Sequence, residues 1–113
     1  MSPKRILLPA VLAIALAAAI PAGAFGGAGS AAGHTVILKS LRFHPGDLTI
    51  NRGDSVTWVW RDGGTEHNVT FRGFHSRTMA GGSYTVRFTR VGTFSYRCTI
   101  HEALGMRGKI IVR

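Results

Sequence analysis

Four side chains that can bind a metal lie in two short segments of the chain. Cys98 is the only cysteine, His101 follows it three residues later, and Met106 follows His101 five residues later. These three side chains can face one point if the chain turns after Cys98. A second imidazole, His67, lies in the segment "GTEHNVTF", just after "RDGG". The four residues offer one thiolate, two imidazoles and one thioether, which indicates a site for a soft metal ion.

The residue types favour copper over other uses of a cysteine. A soft thiolate shares electron density with copper, imidazoles suit both of its oxidation states, and a weak methionine ligand completes the set of a blue-copper site. Structural zinc sites prefer cysteine and histidine and do not use methionine. A cysteine–histidine nucleophile needs an accessible thiol and a third group that orients the base. We therefore expect one copper ion and no enzymatic activity.

The elements that must position these side chains are predicted to be β-strands. After residue 33 apolar residues recur with a period of two, as in strands with one buried face. Turn-forming segments such as "HPGD", "NRGD" and "AGGS" separate the strands. The pattern predicts an all-β, single-domain β-sandwich of about seven to eight strands, in which Cys98 points inward at the end of a strand. The predicted strands lie at 34–40, 47–50, 55–61, 67–71, 83–90, 92–98 and 108–113.

The first residues have the features of an export signal. Lys4 and Arg5 precede an uncharged apolar run at 6–20. Ala22 and Ala24 then occupy the two positions at which a signal peptidase prefers small residues. The apolar run is shorter than the roughly 20 residues that a spanning helix needs. An uncleaved N-terminal anchor is the alternative to a cleaved signal.

We expect a signal peptide at 1–24, a flexible leader at 25–33 and one folded domain at 34–113. The protein would then be exported, to the periplasm or to the extracellular face, with no stable membrane insertion after cleavage. A single cysteine cannot form a disulfide within its own chain. In an exported protein it is an intermolecular bridge, a reactive thiol or a metal ligand.

The chain is strongly basic, with a formal net charge of +9. Without Lys4 and Arg5, twelve basic and five acidic residues remain, a formal charge of +7. In a cytosolic protein such a charge would suggest a nucleic-acid partner, which export argues against. We expect no nucleic acid, and a monomer that meets acidic faces of partner proteins or an anionic surface. The alternative is that the arginines are only solvated strand faces.

From about residue 34 to 113 the chain resembles small cupredoxins of the plastocyanin type, and the halocyanin-like members most closely. The matching stretches are "FHPGDLTINRGDSVTWVWRDG", "EHNVTF", "MAGGSYTVRFTRVGTFSYRC" and "CTIHEALGMRGKIIV". The resemblance implies a Greek-key β-sandwich with one type 1 copper ion. It also implies one-electron transfer between larger redox proteins, which serve as electron donor and acceptor.

The same resemblance assigns residue roles at the copper site. Asn68 and Thr99 match positions that tie the two ligand segments together. Two residues depart from the family pattern, since Ile100 stands where proline is usual and Glu66 where a small residue or proline is common. Copper storage, delivery or sensing, or work as a module of a membrane oxidase, are the alternatives to a free electron carrier. The implied copper ligands are His67, Cys98, His101 and Met106.

The remaining histidines are expected outside this site. His44 and His75 lie in segments predicted to be surface turns. His34 would become the first residue if cleavage followed Gly33, and its amine and imidazole could then bind Cu(II). That arrangement would leave the spacing of the other metal-binding residues unexplained.

Overall fold

Residues 30–113 are described by the structure, which is a computed structural model, and they form two four-stranded β-sheets. The predicted signal peptide at 1–24 and most of the predicted leader at 25–33 lie outside the described residues. In chain order the strands are β1 (Gly33–Lys39), β2 (Arg42–His44), β3 (Asp47–Ile50), β4 (Ser55–Trp60), β5 (Thr70–Phe71), β6 (Ser83–Arg87), β7 (Gly92–Arg97) and β8 (Arg107–Val112).

The strand orders are β2-β1-β4-β6 in one sheet and β3-β8-β7-β5 in the other. β1 runs parallel to β4, and β3 runs parallel to β8. The remaining neighbours are antiparallel. The predicted all-β sandwich of about seven to eight strands is confirmed, since the described residues contain eight strands.

The core lies between the two sheets and is centred on Trp58 of β4. Val56, Trp58 and Trp60 are all buried, as the period-two pattern of this strand predicts. The Trp58 ring makes edge-to-face contacts with Phe71 at 5.7 Å and with Tyr96 at 5.3 Å. Aromatic packing therefore joins β4 of the first sheet to β5 and β7 of the second.

The segment at 67–71 forms a shorter strand than predicted. Only Thr70–Phe71 pairs with β7. The His67 N–H and carbonyl instead pair with Met79 at 2.9 and 3.0 Å, and the Val69 N–H donates to Ser76 Oγ. Local partners satisfy the backbone groups of these residues, so they do not join the sheet ladder.

The first strand among the described residues begins one residue before position 34. β1 starts at Gly33, and the Ala32 N–H donates to Asp54 Oδ1 at 2.9 Å. Between β7 and β8 the chain makes one short 3₁₀-helix, Glu102–Leu104. Among residues 30–113, no helix has the length and hydropathy needed to cross a membrane.

Candidate metal centre

Three of the predicted ligand atoms form a small triangle at one end of the sandwich. The distances are 3.1 Å between His67 Nδ1 and His101 Nδ1, 3.6 Å between Cys98 Sγ and His101 Nδ1, and 3.8 Å between Cys98 Sγ and His67 Nδ1. No other group of three or more His, Cys, Asp or Glu donors within residues 30–113 approaches as closely. Cys98 and His67 are fully buried, whereas His101 is partly exposed.

The triangle has the size that a metal ion requires. A triangle with these sides has its centre about 2.0 Å from each corner, which equals a metal–imidazole bond and approaches a metal–thiolate bond. One sulfur and two imidazole nitrogens are also the strong donors of a blue-copper site. Both the geometry and the chemistry of these residues therefore fit copper.

His67 is held by backbone and side-chain contacts on several sides. Besides the two backbone bonds to Met79, the His67 carbonyl accepts a hydrogen bond from Trp60 Nε1 at 3.1 Å. Trp60 ends β4 and is itself buried in the core. The position of this imidazole is thus fixed by the last residue of a core strand.

Cys98 and Met106 close the loop that joins β7 to β8. The Cys98 N–H donates to the Met106 carbonyl at 3.1 Å, and the Met106 N–H donates to the His101 carbonyl at 3.3 Å. Gly105 has φ of 93° and ends the short helix of this loop, a conformation that favours glycine. Met106 is fully buried. The backbone thus holds Met106 beside Cys98.

Two polar side chains join the ligand segments, as the family resemblance implies. Asn68 Nδ2 donates to Thr99 Oγ1 at 2.8 Å, and the Thr99 N–H donates to Asn68 Oδ1 at 3.0 Å. Asn68 is buried. The residue after His67 is therefore tied directly to the residue after Cys98, and this contact limits how far the two ligands can separate.

Asp62 is a partner of the site that the sequence analysis missed. Its Oδ2 lies 2.7 Å from His67 Nε2, and its two oxygens also accept the N–H groups of Ser40 and Leu41 at 2.9 and 3.1 Å. The hydrogen bond from His67, followed by that from Leu41, lowers the pKa of Asp62. In the sequence, the only indication of this contact is that the acidic Asp62 lies five residues before His67.

The Asp62 contact determines which nitrogen of His67 faces the metal centre. When Nε2 carries the proton and donates to a carboxylate, Nδ1 keeps a free lone pair. Carboxylate–histidine pairs of this kind commonly orient metal ligands and raise their basicity. His67 Nδ1 is the atom that lies at a corner of the donor triangle, so the two observations agree.

The surface around His101 is apolar. Ile100 and Leu104 are 49% and 60% exposed, and Ala103 and Gly105 beside them are also exposed. We refer to residues 100 and 103–105 as the apolar patch. Ile100 and Leu104 are the two large apolar side chains of this patch.

Glu102 lies in the same loop but carries out a structural role. One of its oxygens contacts Arg97 Nε at 3.0 Å, and the other contacts Arg107 Nη2 at 2.9 Å. These pairs join the end of β7 to the start of β8. Because all three side chains are partly or largely exposed, each pair adds little stability, but two cationic partners offset the negative charge beside His101.

The other histidines make local contacts outside the donor triangle. His34 Nε2 lies 2.9 Å from Asp54 Oδ2. His44 Nε2 lies 2.8 Å from a backbone carbonyl in β1, and His75 Nδ1 lies 2.7 Å from the carbonyl of its neighbour. These contacts agree with the prediction that these histidines lie outside the metal site.

Comparison with known proteins is consistent with this site. Residues 32–113 match the family of copper binding proteins described as plastocyanin/azurin. Plastocyanin from Tetradesmus obliquus is 35% identical over 88 residues, which cover 66% of this chain and 60% of that protein. Amicyanin from Paracoccus denitrificans is 34% identical over 85 residues, which cover 68% of this chain and 63% of that protein. The chain thus spans less than two thirds of the length of these two relatives.

Other relatives are matched over more of their length. Plastocyanin from Scenedesmus fuscus is 33% identical over 88 residues, which cover 89% of that protein. The solved structure of an oxidised amicyanin variant superposes with a TM-score of 0.64 at 30% identity, and the match covers 70% of this chain and 80% of that one. A Cu(I) amicyanin variant gives a TM-score of 0.65 at 29% identity.

Proposed function

The chain belongs to the plastocyanin/azurin family of copper-binding proteins, and from this premise we propose that it is an exported blue-copper protein that carries single electrons between larger redox proteins. The observation that carries the proposal is the triangle of Cys98 Sγ and two histidine Nδ1 atoms, buried except at His101. Relatives named plastocyanin, amicyanin and pseudoazurin support it.

In this proposal His67, Cys98 and His101 would hold the copper ion as strong ligands, and Met106 would bind it weakly through its thioether. Copper, when bound, supplies a one-electron change between Cu(I) and Cu(II). The protein supplies candidate ligands whose backbone is held by hydrogen bonds at residues 67, 98 and 106, and a His67 ring that is held by Asp62. A site that need not rearrange between the two oxidation states favours rapid electron exchange.

Burial of the site argues for electron transfer rather than substrate chemistry. Cys98, Met106 and His67 are fully buried, so a substrate would have no route to the metal except past His101. An electron needs no such route, because it can pass through the exposed edge of the His101 ring. This reasoning supports a carrier without enzymatic activity.

The apolar patch around His101 is the proposed docking surface for redox partners. Exposed Ile100 and Leu104 can pack against an apolar area on a partner. The positive formal charge of the chain favours partners with acidic faces, since complementary charge mainly raises the association rate. The predicted signal peptide at 1–24 is the basis for placing the protein in the periplasm or outside the cell, where we expect it to be a monomer.

A chelator competition combined with electron exchange tests the function. The copper-loaded protein is reduced, mixed with a Cu(I) chelator and then reoxidised. Electron self-exchange is measured separately by NMR line broadening. We expect copper to be retained through both oxidation states and self-exchange to be rapid. Rapid loss of Cu(I) to the chelator together with slow self-exchange would instead indicate copper storage or delivery.

A further inference from the structure

A surface groove lies between β5 with the turn that follows it and β7 with the turn that precedes it, and it shares no residue with the metal centre or the apolar patch. Its volume is about 500 Å³, and its apolar wall consists of Phe71, Phe74 and Phe94. Phe74 is 38% exposed and stacks on buried Phe71, with ring centroids 4.6 Å apart and planes 13° apart. This volume falls in the range of about 300–1,000 Å³ that is typical of clefts that bind small molecules.

Two arginines flank the phenylalanines of the groove. Arg72 precedes Phe74, and Arg90 lies in the turn before β7; both line the groove and are exposed. Within residues 30–113, the ion pairs involve Asp54, Asp62 and Glu102, and neither groove arginine takes part in them. The groove therefore combines this apolar wall with two arginines that form no ion pair within residues 30–113.

We propose that this groove binds an acidic segment of a partner protein, which inserts one apolar side chain against Phe74 and Phe94 and pairs its carboxylates with Arg72 and Arg90. Aromatic residues, phenylalanine among them, and arginines are enriched at protein interfaces. Thr93 and Ser95 line the same groove and can hydrogen-bond the backbone of the segment.

The shape and charge of the groove favour a protein segment over two other occupants. A lipid surface is flat, whereas the groove is concave and Phe74 lies flat on Phe71 rather than pointing outward. A second copy of this chain is disfavoured because the chain has five acidic and fourteen basic residues, so its copies repel each other. The proposal does not depend on the bound metal, and it adds a second partner surface to the one around His101.

A peptide-binding experiment on the copper-loaded protein tests the proposal. The probe is a fluorescent synthetic peptide with one phenylalanine flanked by aspartates and glutamates, and binding is followed by anisotropy. We expect Phe74→Ser and Arg90→Glu each to weaken binding by about tenfold, the size of a lost interface anchor. The matched control is Lys39→Glu, which makes the same charge change at an exposed site on β1 and should weaken binding by less than about twofold, because exposed charges outside the contact are screened.

Several outcomes would overturn the proposal. Equal weakening by Arg90→Glu and Lys39→Glu would mean that the peptide only senses the net charge. Undiminished binding after Phe74→Ser, with the variant folded by circular dichroism, would mean that the groove is not used. Failure to bind the peptide, together with Phe74-dependent binding to phosphatidylglycerol vesicles or Phe74-dependent dimerisation in sedimentation, would assign the groove to a membrane or to a second copy.

Discussion

At the scale of single residues, the carboxylate of Asp62 is the group that orients the His67 ring at the metal centre. It accepts hydrogen bonds from His67 and from the N–H groups of Ser40 and Leu41. Both of these turn residues have positive φ, at 54° and 57°. The turn between β1 and β2 therefore directs two N–H groups at the carboxylate, which in turn fixes the His67 ring.

We expect Asp62→Asn to raise the reduction potential and to weaken Cu(II) binding by about tenfold, the lower end of the usual effect of such partners. The substitution removes a negative charge next to a ligand, and that charge favours Cu(II) over Cu(I). Voltammetry and a Cu(II) competition assay measure the two effects. Asp47→Asn removes the same charge from an exposed site, and a potential shift no larger than that of this control would contradict the role of Asp62.

Met106→Leu tests the predicted axial ligand. We expect the variant to keep a coloured copper site with a higher reduction potential, because the weak thioether donor stabilises Cu(II) more than Cu(I). Leucine has a similar volume and is apolar, so the buried position should tolerate it. Complete loss of copper binding would show that Met106 is a main ligand, which would suit a Cu(I) carrier better.

The sequence predicts the candidate ligands and, through the family resemblance, Asn68 and Thr99 as the residues that join their segments, but it does not predict Asp62. Type and spacing identify Cys98, His101 and Met106, because a thiol, an imidazole and a thioether in one short loop have few other uses. The Asp62 contact could not be predicted, since it depends on the turn at Ser40, twenty-two residues away in sequence. Only the fold brings these segments together.

At the scale of the strands, the pairing of Tyr96 with Gly108 shows how β7 and β8 are matched. The two residues face each other in the antiparallel register. Tyr96 is buried, and this burial raises its pKa to about 12. A side chain on Gly108 would meet the tyrosine ring, so the glycine makes room for an aromatic residue of the core.

Gly108→Ala should therefore destabilise the sandwich. Its Cβ would lie 2.6 Å from Tyr96 Cζ and Oη and 2.7 Å from the Gly46 carbonyl oxygen. Overpacking of this kind typically costs about 1–3 kcal/mol. Urea unfolding measures the loss, and Gly33→Ala is the control because its Cβ would meet nothing within 4 Å. Equal stability of the two variants would refute the close packing at Gly108.

Period-two patterns predicted the long strands well but failed at short ones. β4 follows its pattern at every position, because alternate residues point into the core between the two sheets. β2, with three residues, is too short to show a pattern. Residues 67–69 have strand-like side chains, yet Met79 and Ser76 take their backbone hydrogen bonds, which no local pattern reveals.

At the scale of the whole molecule, Asp54 holds the first described residues to the sandwich. It is 3% exposed and accepts hydrogen bonds from the Ala32 and Asn51 N–H groups and from His34. The hydrogen bond from Ala32, followed by those from His34 and Asn51, lowers the pKa of Asp54 from 3.8 to about 2. Its ionised form is therefore favoured in the folded state.

This shift predicts how stability depends on pH. The depressed pKa stabilises the fold above pH 3.8, and this contribution is lost as the pH falls from 3.8 to about 2. Asp54→Asn should lower the free energy of unfolding near neutral pH and flatten its pH dependence in that window. Urea unfolding of the metal-free protein measures both effects, with Asp47→Asn as control. An unchanged pH dependence in Asp54→Asn would contradict the assignment.

The net charge follows from the sequence, but the grouping of side chains into the surface groove does not. Phe74, Arg90 and Phe94 belong to separate segments and meet only where β5 and β7 pair. The pattern of β7 predicts that Phe94 faces inward, and Phe94 does pack against the core, but it stays partly exposed and also lines the groove. A surface assembled from several strands thus cannot be predicted without the fold, whereas a ligand loop within one segment can.

The visible absorption spectrum of the copper-loaded, oxidised protein tests the central claim most directly. Charge transfer from the Cys98 thiolate to Cu(II) should give an intense visible absorption band that makes the protein blue. Cys98→Ser should abolish the band, while circular dichroism shows that the sandwich still folds. A copper-replete, oxidised wild-type protein without this band would contradict the assignment of a blue-copper centre to His67, Cys98, His101 and Met106.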